Sequence, residues 1–68
     1  MKLSARNVLK GTIVEVKKGT TTAHVRIDVA GTIVTASITN ESVDELGLKA
    51  GMSAAAVIKS SDVMVAVD

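Results

Sequence analysis

Two short segments of this 68-residue chain gather hydrogen-bond donors where a small fold has no structural need of them. Ser4-Ala5-Arg6-Asn7, just ahead of the first strand-like run, offers a hydroxyl, a guanidinium, an amide and main-chain N–H groups. Lys59-Ser60-Ser61, in the turn between the last two runs, offers an ammonium, two hydroxyls and further N–H groups. A tetrahedral oxo-dianion needs such a lining: donors only, at hydrogen-bond distance, with one or two fixed cations. Consecutive N–H groups in a turn also form an anion nest. Spacing alone leaves the plainer alternative open, because Ser, Arg and Asn near a terminus are commonly solvated and Lys-Ser-Ser is a common turn.

The residues for other chemistries are missing or badly placed. Nucleophilic catalysis needs a base beside its serine or threonine. The one histidine, His24, sits in mid-strand on a polar face with Arg26 and Asp28. Glu41, Asp44 and Glu45 fall on a short helix, where they read as helix charges complementing its dipole. No glycine-rich phosphate loop carrying a lysine occurs. With no cysteine and one histidine, neither a disulfide nor an all-protein zinc site is expected. The expectation is a binding protein and not an enzyme, with no cofactor and no metal held directly by side chains.

The elements that must position these residues are mostly strands, because the apolar residues recur with period two. In Ala23-His24-Val25-Arg26-Ile27-Asp28-Val29 the apolar positions face one way and the polar ones the other, as in a sheet with one buried face. Val8 to Lys17 reads as the first strand, and Gly11 within it suggests a bulge or a close backbone approach. Lys17-Lys18-Gly19-Thr20 reads as a hairpin turn, and Ala30-Gly31 leads into a third strand, Thr32 to Ile38, rich in β-branched residues. Thr39 to Leu48 carries the single good helix signal. Thr39 or Asn40 caps it, Val43 and Leu46 share a face, and Gly47 stops it in a left-handed conformation with Leu48 folding back. After a turn at Lys49-Ala50-Gly51 a fourth strand spans Met52 to Lys59. Ser60-Ser61-Asp62 is a tight connection, and Val63 to Val67 reads as a fifth strand. Five short strands with one short helix between the third and fourth suggest an all-β, OB-type barrel occupying residues 1–68 as a single domain.

Composition narrows the partners. A chain this short builds a marginal core and needs a disulfide, a metal or a partner subunit. Hydrophobic residues make up 47% of it, and none is Phe, Tyr or Trp, so self-association is the expected support. The net charge of +1 is no footprint for a polyanion, and an OB barrel without aromatic rings lacks the platforms on which bases stack. No nucleic-acid partner is therefore expected. Neither is a membrane: Met1-Lys2-Leu3-Ser4-Ala5-Arg6 has no apolar run behind its lysine, and no apolar stretch approaches about 18 residues. The absence of cysteine fits a reducing cytoplasm.

Taken together, these segments resemble the molbindin (Mop) family. Ser4-Ala5-Arg6-Asn7 followed by Leu9-Lys10-Gly11-Thr12 resembles the family's opening. Val16-Lys17-Lys18-Gly19-Thr20 with Ala23-His24-Val25 resembles its first hairpin. Ser42-Val43-Asp44-Glu45-Leu46-Gly47-Leu48 resembles its helix, and Ile58-Lys59-Ser60-Ser61-Asp62-Val63-Met64 its closing motif. The resemblance covers essentially the whole chain and implies a molybdate- or tungstate-binding protein for storage or homeostasis, built as a homohexamer, a trimer of dimers. It implies one oxyanion site using Ser4, Ala5 and Arg6 of one subunit, with Asn7 shaping the loop, and the Lys59-Ser60-Ser61 segment of a neighbour. A second site, nearer a three-fold axis, would involve Lys18, Gly19, Thr20 and Thr21. His24 stands where the family leads one to expect an acidic residue. A molybdopterin-cofactor carrier is the alternative, but a pterin would want a larger cleft with a flat apolar or aromatic wall.

Overall fold

Alternation along the second strand translates directly into burial: Ala23, Val25 and Ile27 are buried, while His24 and Arg26 between them are exposed. A computed structural model describes residues 2–68; Met1, read above with the N-terminal segment, lies outside them. In chain order the elements are β1 (Asn7–Lys18), β2 (Thr22–Val29), β3 (Thr32–Thr39), α1 (Asn40–Leu46), β4 (Ser53–Ile58) and a single 3-10 turn, Ser60–Asp62. The strands form one antiparallel sheet in the order β3-β2-β1-β4.

β1 organises the sheet because it pairs on both sides. Its first half, Asn7 to Thr12, runs against β4, and its second half, Thr12 to Lys18, against β2. To serve both partners it must curl. The register with β2 slips between Ile13 and Glu15, which is the β-bulge signature of a strand that bends. Gly11 lies beside the bend: a Cβ there would sit 2.3 Å from the Asp28 carbonyl oxygen. Of the two sequence readings for Gly11, the close approach is the one found, and the bulge falls at Val14 instead. Ile13 has no exposed surface, and its main chain bridges to the β4 side, donating to Met52 O at 2.9 Å and accepting from Gly51 N at 2.8 Å.

The core is small and aliphatic: Ile13, Ala23, Val25, Ile27, Val43 and Ala56 are its buried members. Val43 is contributed by α1, which packs against β2 and β3. Thr39 caps this helix, its Oγ1 accepting from Ser42 N at 3.0 Å. Gly47 ends it with φ 63°, a left-handed conformation in which an L side chain costs about 1 kcal/mol or more. Leu48 N then donates to Val43 O at 3.0 Å, closing the C-terminus as the sequence predicts.

One expectation is overturned. Among the described residues the sheet has four strands and is open, not a closed five-stranded barrel, and the predicted fifth strand, Val63 to Val67, joins no ladder. The valines there suit a strand, but a strand also needs a partner edge. Reversal along β4 would require a hairpin. Instead the chain winds through Ser60–Asp62, where Asp62 N donates to Lys59 O and Val63 N to Ser60 O, and this 3-10 turn carries the following residues off the sheet. Met64, Val65 and Val67 are left 93%, 89% and 90% exposed. On the sheet itself an apolar recess of about 450 Å³ remains, lined in part by Ile27, Ala36, Ile38, Met52 and Ala54.

Candidate functional site

The β1–β4 ladder decides where the donor segments go. Its terminal pair is Asn7 opposite Ile58, so the residues preceding Asn7 and those following Ile58 leave the sheet at the same corner. The Asn7 side chain fastens that corner, its Nδ2 donating to the Ile58 carbonyl at 3.1 Å. Ser4, Ala5 and Arg6 are thereby brought into the neighbourhood of Lys59, Ser60 and Ser61, although 51 positions separate Asn7 from Ile58.

The corner is rich in donors. In the 3-10 turn the carbonyls of Lys59 and Ser60 are already occupied by Asp62 and Val63 N–H groups, whereas the Ser60 and Ser61 N–H groups meet no acceptor among the described residues. Arg6 and Lys59 take part in no ion pair among the described residues, and Ser4, Arg6, Lys59, Ser60 and Ser61 are all exposed. This chain therefore supplies two cations, hydroxyls and free N–H groups to one corner without enclosing a cavity from water there.

The second predicted group, Lys18, Gly19, Thr20 and Thr21, forms the β1–β2 hairpin. A recess of about 270 Å³ at its base is lined by Lys17, Lys18, Gly19, Thr22 and His24; Thr20 and Thr21 belong to the loop rather than to this recess. Sequence reasoning missed Lys17, Thr22 and His24 as lining residues. The signal was present in the period-two pattern, since Lys17 and His24 are cross-strand partners. Lys18 is not a free cation, because its Nζ pairs with Asp44 Oδ1 at 2.5 Å. Both groups are largely exposed, so this pair contributes little to stability. Asn40, also missed, reaches the loop from the start of α1, its Nδ2 donating to Gly19 O at 3.0 Å and to Thr20 O at 3.3 Å. No group of His, Cys, Asp and Glu among the described residues could hold a metal ion.

An open antiparallel sheet with a cation-and-amide corner and a second lysine-glycine hairpin defines a small ligand-binding domain. Comparison with known proteins assigns it: residues 3–65 match the TOBE domain, and the chain belongs to the molbindin (Mop) branch of that family. It is 52% identical over 66 residues to molybdenum-pterin-binding protein 1 of Clostridium pasteurianum, covering 96% of this chain and 97% of that one. Among solved structures it is similar to a molybdate-binding protein from Sporomusa ovata, with a TM-score of 0.95, 39% identity, and coverage of 98% of this chain and 100% of that one. It is also similar to the cytoplasmic molybdate-binding protein ModG in a molybdate-bound form, with a TM-score of 0.90 and 48% identity, covering 94% of this chain and 46% of that one. The relatives are thus binding proteins for molybdenum species. Among the described residues no helix is long and apolar enough to cross a membrane.

Proposed function

We propose that this protein binds molybdate, and tungstate similarly, as an intracellular store or buffer, with the anion held where copies of the chain meet. The observation that carries this reading is the Asn7–Ile58 clip, which converts two remote donor segments into one corner. Charge-assisted hydrogen bonds contribute about 1.5–3 kcal/mol each, so a handful reaches micromolar affinity or better. The donors are Ser4, Arg6, Lys59, Ser60 and Ser61, with the main chain at Ala5. A lining of cations and N–H groups, with hydroxyls as its only acceptors, suits a fully deprotonated dianion better than hydrogen phosphate, whose proton asks for an acceptor. Sulfate is rejected by size, since its S–O bonds are shorter than Mo–O and W–O bonds.

Exposure of the corner supports an assembly. A desolvated cage strengthens every contact to a dianion, and one copy leaves these donors in water, so a neighbouring copy would close the site, its Lys59 and Ser60 facing Ser4, Ala5 and Arg6 of the first. The exposed Val63–Val67 tail and the uncovered apolar recess on the sheet support self-association independently, because small cores need such support. A homohexamer arranged as a trimer of dimers would provide both inter-subunit corners and a three-fold axis at which the Lys18, Gly19, Thr20 and Thr21 hairpins form a second site. Residues 1–68 would act as one binding domain in a cytoplasmic protein.

Titration calorimetry with molybdate, tungstate, sulfate and phosphate tests the reading. Heat of binding is expected with the first two and not with the others; silence with molybdate and tungstate ends the proposal. The word pterin in the relative's name favours a second reading, a molybdopterin carrier. Among the described residues no aromatic wall exists to stack on a pterin. Protein purified from cells separates the two, since a bound pterin absorbs in the near ultraviolet and molybdate alone does not.

A further inference from the structure

The hairpin loop Gly19–Thr21 presents an unusual division of labour. All three of its carbonyl oxygens are claimed by one residue, Asn40: Nδ2 takes those of Gly19 and Thr20, and the Asn40 main-chain N–H takes that of Thr21 at 2.9 Å. The Gly19 N–H is spent within the turn, on Thr22 O at 2.7 Å. The Thr20 and Thr21 N–H groups meet no acceptor among the described residues. Carbonyl oxygens repel an oxyanion and N–H groups attract one, so a loop serving an anion must have its acceptors occupied and its donors left free.

The Asn40 side chain is used in a lopsided way. Its donor nitrogen is shared between two carbonyls, while its Oδ1 is shielded from solvent and has no partner among the described residues. An amide whose acceptor half is orphaned, at a desolvation cost, is held there for its donor half. Lys18 and Gly19 belong to the same hairpin, the lysine paired with Asp44, and neither bonds the loop carbonyls.

We infer that Asn40 is the positioning residue of the hairpin oxyanion site, taking the three loop carbonyls so that the Thr20 and Thr21 N–H groups are presented to the dianion. This rests on the reading of the hairpin as a second oxyanion site. It predicts a site-specific defect, whereas a merely structural Asn40, tying α1 to the hairpin, would affect both sites or neither.

The test is an NMR titration of the 15N-labelled full chain with sodium molybdate, following the Thr20 and Thr21 amides for the hairpin and the Arg6 and Ser60 amides for the β1–β4 corner. In the parent both sets move. In Asn40→Ala the hairpin response is expected to weaken about tenfold or more, as for loss of hydrogen bonds to a charged ligand, with the Arg6 and Ser60 curve unchanged. Asn40→Ser, neutral and well suited to a helix start but too short to span to the loop, is expected to behave alike and serves if the alanine variant folds poorly. A parent-like hairpin response in either variant overturns the inference, as does equal weakening at both sites. Parent amides that move at Arg6 and Ser60 but not at Thr20 and Thr21 would remove the hairpin site, and this inference with it, while leaving the oxyanion function standing. No movement anywhere would remove the function itself.

Discussion

Asn7 and Ile58 close the β1–β4 ladder as register partners, and the Asn7 amide donates to the Ile58 carbonyl at 3.1 Å. The main chain therefore leaves the ladder at one corner on both strands, with Arg6 and Lys59 each one residue outside it. Strand register places the two cation-bearing residues at the same corner of the sheet.

Removing either cation should cost the β1–β4 corner its affinity. Arg6→Ala and Lys59→Ala are each expected to weaken molybdate binding there by tenfold or more, since a desolvated dianion loses a counter-charge, while melting temperature barely changes because both residues are exposed. Asn7→Ala is expected to be milder in binding but costlier in folding, by about 1 kcal/mol, as the Ile58 carbonyl loses its partner. Calorimetry paired with thermal denaturation reads both quantities; full affinity in both cation variants would reject the site.

Gly11→Ala should destabilise the fold without touching the donors. Its Cβ would press on the Asp28 carbonyl at 2.3 Å and the Ile27 side chain at 3.0 Å. The sheet must open locally, at a cost of about 1–3 kcal/mol, or a drop in Tm of roughly 4–8 °C per kcal/mol for a domain of this size. A variant melting with the parent would show that β1 does not depend on this approach.

The C-terminal tail should govern assembly. Val65→Asp puts a charge into a segment that is 89% exposed at that position in the isolated chain, so a monomer would lose nothing by it. An assembly that buries the tail loses about 1.5–3 kcal/mol for each apolar side chain removed from the contact. Sedimentation of Val65→Asp is expected to show smaller species, with weakened molybdate binding. Unchanged mass and affinity would place the tail outside the interface.

Asp44→Asn isolates the role of Lys18. The Lys18–Asp44 pair is solvent-exposed, with side chains 46% and 67% accessible, so its loss should change stability by under about 1 kcal/mol. Freed from its carboxylate, Lys18 faces the hairpin recess as an unneutralised cation. Molybdate affinity at the hairpin is expected to rise a few-fold, more at low ionic strength than at high, as followed by the Thr20 and Thr21 amide shifts. A fall in that affinity would mean that Lys18 needs Asp44 to hold it in place.

Much of this molecule could be read from local chemistry. Period-two alternation fixed the inward face of β2 because a pleated strand offers its side chains only two directions. Thr39, Val43, Gly47 and Leu48 announced a capped one-sided helix because capping depends on neighbours a turn away. The donor character of Ser4 to Asn7 and Lys59 to Ser61 is a property of the residues themselves. What the sequence could not show was anything requiring two distant segments at once. Asn40 as the tether of a loop some twenty positions earlier, the Asp44 carboxylate on Lys18 and the choice between bulge and close approach at Gly11 all depend on which strands become neighbours.

The Val63–Val67 tail marks the boundary most clearly. Its residues dictate an extended, wholly apolar segment, since the strand preference of valine is local. Whether such a segment becomes a strand is decided by the availability of an edge, and the Ser60–Asp62 turn directs it away from the one beside it. Donor identity, strand alternation and the helix stop were thus determined by the sequence through near-neighbour forces. The placing of Arg6 and Lys59 at one corner of the sheet, the curl of β1 and the fate of the tail were decided by tertiary structure, because hydrogen-bonded ladders join residues that covalent distance keeps apart.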